Sequence, residues 1–248
     1  MSNRHALYLL HCGLLSGSGG SEGSWQVPVP SYLIESTTGT RYLVDTGNPA
    51  ALTGAADCRP WFHAQCEIRP EDDPAARLSE LDISPAEIDA IIATHFDFDH
   101  AGRYDAFAPY GPDVWVQRAH QAAALSDPNR YDSALWNLPG LRWRPVDGDF
   151  EVEPGLHMLR TDGHATGHQS LLLETDAGWV ILAADAIDGP EYLEEGVLPN
   201  YYDDAEASHR SVKRLLDISA EYEAPIIFGH DLKQWETLPH SPEPYRRI

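Results

Sequence analysis

Lysine is almost missing from this chain of 248 residues. Lys213 and Lys233 are the two present, and 17 basic residues stand against 39 acidic ones, a formal charge of −22. Phosphate backbones are bound largely through Lys and Arg, so a surface this acidic repels them, and no nucleic acid is expected as substrate or partner. Otherwise the acidity reads as a well-solvated exterior. Cysteine is scarce too: Cys12, Cys58 and Cys66 form no CxxC pair, and their odd number argues against a disulfide framework. Long apolar runs are lacking. Residues 6–10 are cut off by His11, too short a stretch for the core of a signal peptide, and nothing approaches the ~18 apolar residues of a membrane span. The expectation is a soluble, cytoplasmic protein with no membrane partner. There is no GxSxG elbow, phosphate-binding loop or dinucleotide fingerprint, so the chemistry has to lie in other residues.

What is present is an ordinary globular composition, 42% hydrophobic and 23% charged, on a length at which a domain buries roughly three quarters of its unfolded surface. Residues 6–10 read as a short apolar strand and 13–24, rich in Gly and Ser, as a flexible loop. Residues 32–35 and 41–45 flank the turn at 36–39 as a hairpin. A short helix fits 75–81, and Ser84-Pro85-Ala86-Glu87 has the N-cap, first-position proline and capping-box glutamate of a helix start. Strands follow at 90–93 and 114–116, then a helix at 118–125 and a strand at 156–159. Segments 169–174 and 179–183 form a hairpin around Asp176-Ala177-Gly178. Residues 205–222 are amphipathic, with Val212, Leu215, Leu216 and Ile218 on the apolar side, and 225–228 is a last buried strand. Strands in runs with helices between them favour a layered α+β or αββα body, and without a repeat or linker, residues 1–248 read as one domain.

The informative segment is Thr94-His95-Phe96-Asp97-Phe98-Asp99-His100-Ala101-Gly102. It follows an apolar strand directly, so its polar groups emerge at a sheet end. Alternate residues of an extended segment point the same way, which lets His95, Asp97 and Asp99 face one cavity while Phe96 and Phe98 pack into the body. His100 then needs a turn after Asp99, eased by Gly102. Imidazole and carboxylate are common metal ligands. Three further candidates stand at strand ends: His164 in Thr161-Asp162-Gly163-His164, Asp185 after 180–184, and His230 after 225–228.

The order HxDxDH, then GH, then a lone Asp, then GHD resembles the signature of the metallo-β-lactamase superfamily, whose usual first motif is HxHxDH. His168 to Thr175, Leu43-Val44-Asp45-Thr46-Gly47, residues 226–231 and the helix with Ser211-Val212-Lys213-Arg214-Leu215 are similar to N-acyl-homoserine lactone lactonases of that superfamily. The resemblance implies the four-layer αββα sandwich and two divalent metal ions. His95, Asp97 and His164 would hold the first ion, Asp99, His100 and His230 the second, and Asp185 would bridge them. Asp45 would support the site from behind. A hydroxide between the ions would attack the carbonyl of a lactone or other small-molecule ester, and Asp99 would carry its proton to the leaving alcohol. The sequence departs from the lactonases twice. Asp97 replaces a His, as an acidic residue does in the flavodiiron proteins, which widens the choice of metal from Zn to the harder Fe or Mn. Asp188 replaces a Tyr three residues after the bridging Asp, leaving Tyr192, Tyr201 or Tyr202 as substitutes.

The other histidines read as surface or hydrogen-bonded core residues: His168 as a support for its loop, His11 as a candidate pocket residue. Trp25, Trp61 and Phe62 are core residues or an apolar wall for an acyl chain. Glu71-Asp72-Asp73 and 191–195 read as solvated faces. Arg103 and Arg130 are candidates for an anionic substrate group. The rivals to a lactonase are a thioesterase or other-lactone hydrolase of the same superfamily, a diiron redox protein, for which the chain leaves no room for a flavin domain, and a metal-binding module without turnover. Either a monomer or a homodimer is compatible with the sequence.

Overall fold

The computed structural model describes residues 4–18, 24–55, 57–58, 64–194, 197–198 and 202–246. Two mixed sheets face each other. The first has seven strands in the order β4-β1-β2-β3-β5-β6-β7: β1 Ala6–Ser18, β2 Ser24–Glu35, β3 Arg41–Val44, β4 Gln65–Glu67, β5 Ala90–Ile92, β6 Asp113–Gln117 and β7 Arg142–Val146. The second has five in the order β12-β11-β10-β9-β8: β8 Phe150–Glu153, β9 Leu156–Arg160, β10 Gln169–Thr175, β11 Gly178–Leu182 and β12 Ile226–Ile227. β3, β5, β6 and β7 pair in parallel, while β8 to β11 form an antiparallel meander.

Period-two alternation makes the layers. Leu7, Leu9, Ile34, Val44 and Ile92 point from the first sheet into the gap, where they meet Leu156, Met158, Leu171, Leu173, Val180 and Leu182 of the second. The alternate residues Leu10, Leu33, Leu43, Ile91, Val114 and Val116 face outward and are covered by Leu78 of α1 (Pro74–Ser79), Phe107 of α2 (Tyr104–Phe107), Ala124 of α3 (Arg118–Ser126) and Trp136 of α4 (Ser133–Trp136). On the far side, Val212 and Leu215 of α5 (Ala205–Tyr222) cover Leu159, Leu172 and Ile181. Helix, sheet, sheet, helix: this is the αββα sandwich. A short α6 (Leu232–Trp235) closes one end.

Three expectations are corrected. Residues 13–18 are strand, not flexible loop: β1 continues to Ser18 and pairs with β2 from Leu14↔Pro28 to Ser18↔Ser24, and residues 19–23 of the expected loop lie outside the described residues. Gly13 and Gly17 serve packing. Gly13, with φ 106°, accompanies the bulge after His11, and a Cβ on Gly17 would stand 2.5 Å from the Trp25 ring. Second, Ser84-Pro85-Ala86-Glu87 makes its capping box but only a single 3-10 turn, Pro85–Glu87, because Ile88 is already extended towards β5. Third, Glu71-Asp72-Asp73 is not a solvated face. Asp72 is buried against Arg77 at 2.6 Å, and Asp73 accepts from Ala75 N at the start of α1. All three cysteines are free, in line with the lack of a disulfide framework, and all are buried. Among the described residues no helix is long and apolar enough to cross a membrane.

Candidate functional site

β5 delivers the chain to Thr94, and Asp45, just past β3, receives it. Asp45 has a left-handed backbone (φ 56°). That conformation turns its carboxylate inward to accept from Thr94 N at 2.8 Å and Thr94 Oγ1 at 2.7 Å. The motif does not stay extended through Asp99. The turn comes two residues earlier, with His100 N and Ala101 N both donating to Asp97 O at 3.0 and 2.9 Å. Phe96 packs in the core, stacked on Trp136 at 4.3 Å and 7°, and Phe98, half-buried, packs against the same core while also joining the cavity wall. Gly102 is needed for close approach: a Cβ there would meet the Asn48–Pro49 backbone at 2.2–2.3 Å.

The other segments arrive from the second sheet. His164 follows β9 across Gly163, whose φ of 142° and contact with Ser208 of α5 leave no room for a side chain. Asp185 follows β11 across Ala184, held at φ 46°, a strained backbone for a residue with a Cβ. His230 follows β12 and is anchored by Nδ1 to Pro28 O at 2.8 Å.

All seven candidate residues converge. Asp97 Oδ2 is 3.3 Å from His95 Nε2 and 3.0 Å from His164 Nε2, and Asp185 Oδ2 is 3.7 and 3.5 Å from the same nitrogens. Ligand atoms around a tetrahedral cation with bonds of ~2.0–2.1 Å stand ~3.4 Å apart, so these four corners have the right size. Beside them, Asp99, His100 and His230 bring their ligand atoms within 4.8 Å of one another. Asp185 links the two sets, with Oδ1 3.1 Å from His100 Nε2 and Oδ2 3.3 Å from His230 Nε2. The donors fit a divalent cation on another count as well. His95 Nε2, His100 Nε2 and Asp185 Oδ1 are buried and make no hydrogen bond, a costly state for groups deprived of water.

The charges agree. Although burial opposes it, the Asp185 and Asp99 carboxylates push His100 well above the ordinary histidine range, and Asp185 and Asp188 lift His230 to about 10. Asp97 is held well below the carboxylate range against its burial, first by Arg130 and then by His164. Burial raises Asp99. The rings do not respond alike: Asp185 and its neighbouring carboxylates raise His100, His164 and His230, whereas burial and the adjacent His100 hold His95 well below the histidine range.

Two residues to which the sequence assigned other roles join the site. Asp188 offers a carboxylate oxygen within 4.8 Å of those of Asp185 and His230, and burial beside Asp185 raises its pKa to about 6. Its position three residues past Asp185 was the available signal. Arg130 clamps Asp97, with Nε to Oδ1 at 2.8 Å and Nη2 to Oδ2 at 2.7 Å. It is therefore engaged within the protein, while Arg103 is committed to Asp73 and Asp105. His120 positions the motif from below, accepting from Phe96 N at 2.8 Å while its Nδ1 faces Thr166 O at 2.8 Å. His168 is buried on Thr161 Oγ1 at 2.9 Å, a loop support as expected. His11 lies in a different cavity with Arg77, Trp235 and His240, not in this one.

Asp97, Asp99, His164, Asp185, Asp188 and His230 line a cavity of about 730 Å³ whose apolar wall includes Leu15, Trp25, Val27, Phe98, Tyr192 and Leu232. Trp61, Phe62 and Tyr201 fall outside the described residues, and Tyr202 is exposed.

A two-sheet sandwich with histidines and aspartates gathered at the strand ends is the architecture of a metal-dependent hydrolase. A family model described as the metallo-beta-lactamase superfamily matches residues 25–230, and the chain belongs to that superfamily. It is 35% identical over 213 residues to an N-acyl homoserine lactonase of Bacillus cereus, covering 84% of this chain and 83% of the relative. An N-acyl homoserine lactonase of Azorhizobium caulinodans is 27% identical over 261 residues, covering 96% and 98%. A solved N-acyl homoserine lactone hydrolase, with the product N-hexanoyl-L-homoserine at its catalytic metal centre, superposes with a TM-score of 0.87 at 31% identity over 98% of this chain and 100% of the other.

Proposed function

We propose that this chain is a metal-dependent lactonase that opens the ring ester of an N-acyl-homoserine lactone, and that residues 1–248 act as one domain. The observation that carries the reading is the convergence of seven donors, with Asp97, Asp99, His164, Asp185 and His230 lining a cavity with an apolar wall and His95 and His100 buried beside them, in a chain 35% identical to lactonases. His95, Asp97 and His164 would hold one divalent cation, Asp99, His100 and His230 a second, with Asp185 shared. Bound there, such ions lower the pKa of water towards ~7 and polarise an ester carbonyl.

The rest is done by the protein's own groups. The wall of Leu15, Trp25, Val27 and Leu232 takes the acyl chain and leaves the lactone over the donors. Asp99, at the edge of the cluster with Oδ2 3.9 Å from His100 Nε2 and 4.0 Å from His230 Nε2, accepts the proton of the attacking water and returns it to the ring oxygen as the C–O bond breaks. One water is added across the ester and nothing else is consumed. Asp45 and Thr94 hold the His100 and His95 rings from behind. The net charge of −22 disfavours polyanionic substrates.

Purified protein incubated with N-acyl-homoserine lactones should yield the open acids, heavier by one water, with activity lost on chelation and restored by Zn, Mn or Fe. A panel including S-acyl thioesters and other lactones separates the rivals. Turnover of thioesters alone, or undiminished activity in a metal-free Asp185→Ala variant, contradicts the proposal.

A further inference from the structure

An aspartate at position 97 brings a negative charge and two oxygens to a place that a neutral imidazole nitrogen could fill. Both consequences are answered by one side chain. Arg130 lies in the turn after α3, its backbone N 3.3 Å from Asp127 Oδ1 and its guanidinium 4.9 Å over the Tyr131 ring. From there it reaches across 33 residues to take both oxygens of Asp97. Nη1 donates to Asp203 Oδ1 at 2.8 Å, and Nη1 and Nη2 lie 3.4 and 3.3 Å from His164 O. Nη2 also stands 3.1 Å from His164 Nε2. Asp203 is fixed in turn: its N donates to Gly163 O at 2.8 Å and its Oδ2 accepts from Thr166 N at 2.8 Å. The pair is secluded, with side-chain exposures of 10% for Arg130 and 13% for Asp97.

We propose that Arg130 is a positioning residue that makes Asp97 act as an imidazole would: one donor atom, in one direction, with its charge offset. The fork turns Asp97 so that Oδ1 faces the guanidinium alone, while Oδ2, also held by Nη2 at 2.7 Å, faces His95 and His164. A carboxylate free of this clamp can chelate a cation through both oxygens, and its full charge favours hard ions. The clamped carboxylate offers a single oxygen, already hydrogen-bonded, which keeps the site open to zinc. The pairing needs the planar fork of arginine; a lysine ammonium supplies charge without the two-point hold. The inference rests on the reading that His95, Asp97, His164 and Asp185 hold a cation.

The test is metal binding, read without substrate. Zn and Mn dissociation constants by chelator competition, and the visible spectrum of the Co(II)-loaded protein, are measured for wild type, Arg130→Met, Arg130→Lys, Asp97→His and the double variant Asp97→His/Arg130→Met. Arg130→Met should shift the Zn-to-Mn preference towards Mn by about tenfold or more and weaken the cobalt bands as Asp97 takes a second coordination position. Arg130→Lys should alter the cobalt bands but keep the preference within about threefold of wild type. Asp97→His alone leaves the guanidinium without its carboxylate and should weaken Zn binding by about 10–100-fold, which the double variant largely restores. An arginine that merely supports its loop would leave the double variant at least as weak as Asp97→His and the Zn-to-Mn ratio unmoved; that result overturns the proposal. Wild-type protein that takes up neither cobalt nor zinc removes the cation site itself, whereas failure to hydrolyse lactones with normal metal uptake touches only the proposed function. Should Arg130→Met not fold, the cobalt spectrum of Arg130→Lys decides: unchanged bands refute the clamp.

Discussion

Oδ2 of Asp45 lies 2.8 Å from Nδ1 of His100, and this contact fixes which edge of the ring faces the donor cluster. The same oxygen takes the Thr94 hydroxyl at 2.7 Å and Oδ1 takes Thr94 N at 2.8 Å, so one carboxylate sets both the entry of the motif and its last histidine. Asp45→Asn keeps the size but replaces an acceptor with a donor facing Nδ1. Outer supports of this kind are worth about 10–100-fold in metal affinity, and chelator competition should register a loss of that order at the second cation position.

Gly163 carries the His164 loop past α5, and Ser208 leaves no space for a methyl group: its Cα and N stand 2.4 Å from where a Cβ would be. Gly163→Ala therefore has to move the loop or the helix. The expected cost is about 1–3 kcal/mol in denaturant unfolding, as for overpacking elsewhere. Metal affinity should weaken with it, because His164 and the carbonyls that receive Asp203 and Asp204 shift together.

Acid should weaken the fold through His120. Burial lowers its pKa to about 4 from an ordinary 6.5. Between those values the unfolded chain takes a proton that the folded one refuses, so this contribution is complete above pH 6.5 and is lost as pH falls towards 4. The slope is at most about 1.4 kcal/mol per pH unit, roughly 3 kcal/mol in all. Urea unfolding of metal-free protein across this range should show His120→Gln with lower stability at neutral pH and a shallower slope than wild type. Equal slopes would contradict the neutral, doubly hydrogen-bonded ring.

The Trp25 ring belongs to the wall of the cavity above the donors. Trp25→Ala removes apolar cover in a place where each buried methylene is worth about 0.8 kcal/mol. The KM for a decanoyl lactone should rise by about tenfold or more while that for a butanoyl lactone moves by less than about threefold. A parallel rise for both would place the acyl chain elsewhere.

The donor cluster was legible because strand ends are. An apolar strand running straight into Thr94-His95, and His164, Asp185 and His230 each following a strand, fix where polar groups emerge whatever the connecting loops do. The amphipathic stretch 205–222 was equally plain and coincides with α5. What failed were features set by distant partners. Gly17 looks the same in a flexible loop and beneath a tryptophan ring. Asp72 looks the same on a solvated face and beneath Arg77. Nothing local marks Arg130, rather than Arg103, as the partner of Asp97, since the choice depends on how the turn after α3 meets the motif.

Anomalous scattering at the metal edges from crystals of the wild-type protein tests the central claim most directly. Two peaks are predicted, one among His95, Asp97, His164 and Asp185, the other among Asp99, His100, His230 and Asp185. No peak in that cluster after growth with added Zn, Mn and Fe, or peaks bound only by other residues, would contradict it.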